Sequence, residues 1–272
     1  MPGKQESDKL HEPLSRFLER GWLLFEPESR VSEWVKQCLP HTLNSLDDPM
    51  LAQWWRCENT WFTGVNALPN DGQGAVADGK SLHAAALDFA CNTVGYRFES
   101  LDAAQVSAVY PGYPKPKLGE SDSAFRYRLK WDAAHVDGLI PDPQSRRRFV
   151  QEFHAFILGI PMQGTDAGCS PLVVWEDSHV LVKETFRRIL AHHPVAAWNT
   201  IDLTDHYHAL RREVFSKCRR IVVNANPGQS YLLHRHTLHG ISPWLAKDDH
   251  PGRIICYFRP EFSNAVDWLE AP

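Results

Sequence analysis

From residue 101 onward the chain breaks into short apolar runs separated by turn residues, and this limits its fold more than any other feature. The runs are 153–160, 172–175, 221–223, 231–233 and 254–258, with turn signals such as Pro141-Asp142-Pro143 and Pro227-Gly228 between them. Such pieces are strand-sized, and too short for a self-sufficient buried helix. A series of them with Gly/Pro turns predicts an antiparallel barrel or sandwich. Phe125, Tyr127, Leu129 and Trp131 alternate with Arg126, Arg128 and Lys130, which predicts a further strand with one wet face. Two stretches keep a helical period instead: Val182, Phe186, Ile189 and Leu190, then Tyr207, Leu210, Val214 and Cys218.

The first hundred residues have a different texture. A helix is expected over 13–20, with Leu14, Phe17 and Leu18 on one face and Gly21 ending it. Trp22-Leu23-Leu24-Phe25 reads as a strand. Val31, Trp34, Val35, Cys38 and Leu39 follow a helical period that Pro40 should stop. Leu82, Ala85, Ala86, Phe89 and Ala90 make a third helix, closed near Gly95. The expectation is one structural domain, mainly β with flanking helices. Residues 1–100 would be a mainly helical part packed on a barrel formed by 101–272.

Composition removes several function classes. Net charge is −4, and the densest basic cluster, Arg146-Arg147-Arg148, is too small for a nucleic-acid footprint. Residues 1–12 are polar and unlike a signal peptide, and no apolar stretch is long enough to span a bilayer. The six cysteines are scattered, with no Cys-x-x-Cys. Reduced thiols and a cytoplasmic location are the default for such a chain. Neither a Gly-x-Gly-x-x-Gly nor a P-loop occurs, so a nucleotide fold has no support.

The residues that carry chemistry are His135-Val136-Asp137, followed a hundred residues later by His239 and then Arg253. On a strand, residues i and i+2 share a face, so His135 and Asp137 can reach one metal ion. The third ligand must come from another strand. His239 at a His-Gly step is preferred over its neighbours His234 and His236, which would line or abut the site without ligating. His206 and His208 lie on a helical pattern, where i and i+2 diverge. Two imidazoles and a carboxylate on one face of a ferrous ion leave three positions open. Zinc is the competitor, since the same ligand set serves hydrolysis or lyase chemistry. A non-catalytic barrel acting as a binding module is a third reading. Arg253 opens an apolar strand after the turn at 248–252, a hairpin expected to bring it beside the strand of His239; a buried arginine needs an anion. Arg259 would pair with Glu261 or another carboxylate.

Three segments carry a family resemblance. Phe17-Leu18-Glu19-Arg20-Gly21-Trp22-Leu23-Leu24, the run from Gly168 to His179, and the run from Pro227 to Leu233 followed by Leu238-His239-Gly240 resemble the phytanoyl-CoA dioxygenase-like group of 2-oxoglutarate, Fe(II)-dependent oxygenases. The resemblance implies a double-stranded β-helix (a jelly roll, cupin-like), with Fe(II) held by His135, Asp137 and His239. It implies 2-oxoglutarate as cosubstrate gripped by Arg253, O2 as oxidant, and hydroxylation of a small molecule with release of succinate and CO2. Two positions depart from the group's pattern. Glu176-Asp177 stands where Pro-Gly is usual, and Ile241 stands two residues after His239, where a Ser or Thr often helps bind 2-oxoglutarate.

Overall fold

The computed structural model describes residues 3–163, 167–247 and 249–272. Among the described residues there are twelve strands: β1 (Trp22–Phe25), β2 (Trp55–Arg56), β3 (Trp61–Gly64), β4 (Gln105–Val109), β5 (Leu139–Pro141), β6 (Arg148–Val150), β7 (Phe156–Pro161), β8 (Leu172–Trp175), β9 (Arg220–Val223), β10 (Ser230–His234), β11 (His239–Ile241) and β12 (Arg253–Phe258). Seven form one sheet in the order β1-β10-β7-β12-β4-β3-β2, and three form a second, β11-β8-β9. An isolated bridge between His135 and His239 adds the 135 segment to the second sheet beside β11. Along the chain, β4, the 135 segment, β7, β8, β9, β10, β11 and β12 pass back and forth between the two sheets. All named pairings are antiparallel. This winding is the double-stranded β-helix, the fold class expected from the run of short strands. The large sheet draws strands from both sides of residue 100.

The two faces of the large sheet explain why its strands read as unbroken apolar runs. Every residue of β7, β10 and β12 is buried. Inward, Ile157, Tyr231, Leu233, Ile255 and Tyr257 pack with Leu172, Val174 and Val223 of the smaller sheet. Outward, Leu158, Ile160, Leu232, Cys256 and Phe258 belong to a larger cluster shared with the helices. Helix α2 (Ser29–Asp47) buries Val31, Trp34, Val35 and Cys38, and Trp34 meets Phe258 at 5.8 Å between ring centroids. Each such large apolar side chain contributes about 1.5–3 kcal/mol by leaving water.

Several local expectations need correction. Helix α1 spans Gly3–Arg20, so the segment around Pro13 continues a longer helix. Helix α2 does not stop at Pro40 but runs on to Asp47. Its buried face continues through Thr42 and Ser45, whose hydroxyls donate to the Cys38 and Thr42 carbonyls. That packing outweighs the one amide bond a proline removes. The third helix is a single turn, α3 (Ala85–Asp88), running into a π-helical turn at Phe89–Val94. Gly95 closes it in the left-handed region (φ +85°).

The alternating stretch at 125–131 is not a strand. It lies in helix α4 (Asp122–Lys130), capped by Ser121, whose hydroxyl accepts from the Ala124 amide at 3.3 Å. None of its residues is buried. Its alternation therefore reports no sheet face, and the cap together with Arg128 and Lys130 in the last turn decides the conformation. Helices α5 (Ser178–Leu190) and α6 (Thr204–Lys217) fall where the helical period placed them, and a last turn, α7, covers Asp267–Glu270. No described helix is long and apolar enough to cross a membrane.

Candidate metal centre

His135, Asp137 and His239 come together, each offering one ligand atom, with all three atoms within 4.8 Å of one another. His135 Nε2 lies 3.2 Å from Asp137 Oδ1, and His239 Nε2 lies 3.7 Å from the same oxygen. Bonds of about 2.1 Å put neighbouring ligand atoms of one metal ion about 3 Å apart. A two-way backbone bridge holds the two histidines side by side: the His135 amide donates to the His239 carbonyl (2.8 Å), and the His239 amide donates back (3.0 Å).

Both rings are turned the same way. His135 Nδ1 sits 3.1 Å from the Ala133 carbonyl, and His239 Nδ1 sits 2.9 Å from the Thr237 carbonyl. A carbonyl can only accept, so each Nδ1 carries the hydrogen and each Nε2 presents a lone pair toward Asp137. Three electron-rich atoms facing one another is a poor arrangement for neutral imidazoles and a carboxylate by themselves, and a good one around a cation. Burial pushes His239 down to about 4, against the opposing pull of Asp137, so the ring is neutral near pH 7. Burial would raise Asp137, but its charged surroundings, Arg259 among them, hold it well below the usual carboxylate range.

The backbone around the three ligands is tightly fixed. Gly240 is required by contact: a Cβ there would lie 2.1 Å from the Asp132 carbonyl oxygen. Its absence lets β11 close on the 132–135 segment. Asp132 is itself locked by a bidentate pair to Arg220 of β9, both contacts at 2.7 Å. Between the two ligands of the first segment, the Val136 amide donates to Tyr207 Oη of α6 (3.1 Å). One residue before His239, the Leu238 amide donates to Ser178 Oγ (2.9 Å), and its carbonyl accepts from the Trp175 amide (2.9 Å). The end of β8 and the first residue of α5 (Ser178–Leu190) thus buttress the ligand strand from behind. Sequence reasoning missed Asp132, Arg220, Tyr207 and this role of Ser178, because they hold the backbone of the ligand segments, Arg220 by way of the Asp132 side chain, and no short motif marks them.

Asp137 lies in a turn rather than on a regular strand, so its meeting with His135 owes more to Gly138 than to strand alternation. Gly138 has φ +82°, and a Cβ there would strike the Glu152 carbonyl oxygen at 2.4 Å. The ligands open onto a cavity of about 230 Å³, walled by Trp61, Thr63, Gln105, Ser107, Ile157, Leu172, Ile241, Tyr257 and Arg259 among others. Apart from Asp137, His135 and His239, no carboxylate or imidazole is among the described residues lining it.

Arg253 is 2% exposed, but the hairpin does not set it beside the strand of His239. The 242–252 segment crosses between sheets, so β12 pairs with β4 and β7 while β11 pairs with β8. Arg253 does not itself line the cavity; its Nη2 donates at 3.2 Å to the Oη of Tyr257, which does. Arg259 pairs with a carboxylate as expected, and that carboxylate is Asp137 (Nη1 to Oδ2, 3.5 Å). His234 and His236 neither ligate nor line the cavity; at 1% and 0% exposure they pack among Phe17, Phe186 and Trp268. His206 and His208 are exposed on α6. Trp131 stacks on Phe215 at 4.1 Å, and Trp175 packs against the same ring.

Comparison with known proteins gives architecture only. No family model matches the sequence, and no curated protein matches it. Among solved structures, it is similar to SnoK, described as a non-heme alpha-ketoglutarate-dependent carbocyclase from nogalamycin biosynthesis (13% identity, TM-score 0.49, covering 92% of this chain and 83% of that one). It is also similar to EctD from S. alaskensis, solved with 2-oxoglutarate and 5-hydroxyectoine (13% identity, TM-score 0.45, 92% and 75%). It spans half of the EvdMO1 chain (13% identity, TM-score 0.49, 92% of this chain). At these scores the likenesses are distant, and the fold stated above rests on the strand order itself.

Proposed function

We propose that this chain is a 2-oxoglutarate- and Fe(II)-dependent dioxygenase of the phytanoyl-CoA dioxygenase-like kind, hydroxylating a small molecule with release of succinate and CO2. The observation that carries the reading is the convergence of His135 Nε2, Asp137 Oδ1 and His239 Nε2 beside an open cavity. Nitrogen and oxygen donors on one side of an ion, with the other side free, suit ferrous iron and the chelating 2-oxo acid that activates O2 there.

The chain's own residues have separate tasks. His135 and His239 offer lone pairs fixed by the Ala133 and Thr237 carbonyls. Asp137 offers one oxygen to the metal and keeps the other toward Arg259, which anchors the carboxylate's orientation. Arg253 supplies a buried cation for the far carboxylate of the cosubstrate. Trp61, Ile157, Leu172 and Ile241 wall the cavity with apolar surface, which keeps bulk water from the reacting centre. A cavity of about 230 Å³ fits a small molecule rather than a polymer groove.

A zinc hydrolase with the same ligands would need a general base near the metal-bound water. Among the described residues that line the cavity, no carboxylate or imidazole besides the three ligands is placed for that task. The test is turnover of 2-oxoglutarate by the Fe(II)-loaded protein. Succinate should form only with O2 present and should vanish in His135→Ala. Hydrolytic activity with Zn(II), indifferent to O2 and 2-oxoglutarate, would replace this reading with the hydrolase.

A further inference from the structure

Two arginines are buried to 2% exposure or less, and their surroundings differ. Arg235 (1% exposed) donates to the carbonyls of Asp267, Trp268, Ala271 and Pro272, and to Tyr96 Oη. Arg253 (2% exposed) donates to one neutral group, Tyr257 Oη, and its Nη1 is buried with no partner among the described residues. Its ionisable neighbours among the described residues are Tyr257, Tyr231 and Tyr113, with no carboxylate among these. A guanidinium held this way is unsatisfied until an acceptor arrives.

The route to that guanidinium passes Tyr257. This side chain lines the cavity with His135, Asp137 and His239 and touches Arg253 behind it. Its oxygen already accepts twice, from Arg253 Nη2 (3.2 Å) and from the Tyr231 hydroxyl (2.9 Å). Its own hydrogen has no acceptor among the described residues. The pair is built in by the sheet: Gly159 on β7 stands opposite Tyr231 on β10 and opposite Tyr257 on β12. A Cβ at Gly159 would lie 2.2 Å from the Tyr231 ring, so only glycine lets that ring lie across the strand to reach its partner. Burial pushes Tyr231 well above its ordinary range, which keeps its hydroxyl a donor.

We propose that Tyr257 is a 2-oxoglutarate-binding residue: its hydroxyl donates to the distal carboxylate paired with Arg253, and Tyr231 positions it. Tyr257 supplies the hydroxyl that Ile241, two residues after His239, lacks. The proposal rests on the dioxygenase reading above and names its second cosubstrate contact.

The test is anaerobic calorimetry of the Fe(II)-loaded protein with 2-oxoglutarate and with 2-oxopentanoate, which keeps the chelating end and lacks the distal carboxylate. Tyr257→Phe, which preserves the ring, should weaken 2-oxoglutarate about tenfold to a hundredfold, the loss of one hydrogen bond to a charged group. Fe(II) affinity, thermal midpoint and 2-oxopentanoate affinity should stay within about twofold or a few degrees of the parent. Tyr231→Phe should give a smaller loss of the same selectivity, about threefold to tenfold. Unchanged 2-oxoglutarate affinity in Tyr257→Phe overturns the proposal. Equal weakening of both acids, or weakened Fe(II) binding, also overturns it, since a packing role would do that. If the parent protein binds Fe(II) but neither acid, the dioxygenase reading itself falls.

Discussion

Histidines gather in two places in this molecule, and the contrast between them shows what makes one a candidate site. His135 and His239 face Asp137, each with Nδ1 against a backbone carbonyl and Nε2 directed at the carboxylate. His179, His234 and His236 form a second group, with ring centroids 4.9 Å and 5.3 Å apart along the series. That group includes no carboxylate, and both ring nitrogens of His236 are buried without partners among the described residues. His236 instead meets the edge or face of Trp268 at 4.5 Å and Phe186 at 5.8 Å, so these rings serve as aromatic packing. Histidine density is therefore not the signal. A carboxylate, a fixed tautomer and an open cavity distinguish the first group, although His236 and His239 are only three positions apart.

The largest expected difference between the groups is in metal binding. Asp137→Ala should lower Fe(II) affinity by more than about a hundredfold, beyond the loss typical of supporting residues, and abolish succinate formation. His236→Phe should leave both unchanged and be neutral or stabilising by about 1 kcal/mol, because it removes unpaired polar atoms from an apolar site. A metal titration of the two variants side by side checks this, and lost binding in His236→Phe would merge the two groups.

The second difference is acid sensitivity. Burial pushes His179 down to about 4, and pushes His234 and His236 well below the ordinary value, with Arg235 and Lys183 adding to the effect. On unfolding these rings regain a value near 6.5 and take up protons. Their contribution to stability is thus complete above pH 6.5 and lost as pH falls toward and through 4. For His179 alone the span amounts to about 3 kcal/mol. Thermal midpoints measured from pH 7 to pH 4.5 should fall, and His236→Phe should flatten the slope; an identical slope in that variant would contradict the account of the second group.

Smaller effects probe how the first group is held. Gly240→Ala forces a methyl against the Asp132 carbonyl and should cost about 1–3 kcal/mol of stability, with weaker Fe(II) binding as the strands part. Tyr207→Phe removes only the hydrogen bond from the Val136 amide. It should cost about 1 kcal/mol, seen as a modest fall in midpoint and in metal affinity measured by titration. A Gly240→Ala protein with parental metal affinity would show that the close approach at 240 is not what aligns the ligands.

Much of this was legible in the sequence, for reasons that differ between residues. The short strands were readable because β8, β9, β10 and β12 are apolar and end at turn residues. The ligands were readable because His-x-Asp and His-Gly are compact patterns. Arg253 was recognisable as a buried arginine, but its place was not: the crossing of 242–252 from one sheet to the other leaves no local mark. Helix α4 was misread because its Phe/Arg/Tyr/Arg alternation mimics a strand, while Ser121 and Asp122 carry the helix-start signal. Tyr231 and Tyr257 were hidden among core residues. Their meeting over Gly159 depends on the register of three strands far apart in sequence, which no window of the chain contains.

The most direct measurement is the visible spectrum of the anaerobic protein on addition of Fe(II) and then 2-oxoglutarate. A weak charge-transfer absorption should appear only with both present, saturate at one equivalent of each, and be missing in Asp137→Ala. Stoichiometric zinc binding at the same residues with no absorption from Fe(II) and 2-oxoglutarate would contradict the assignment of oxygen chemistry to His135, Asp137 and His239.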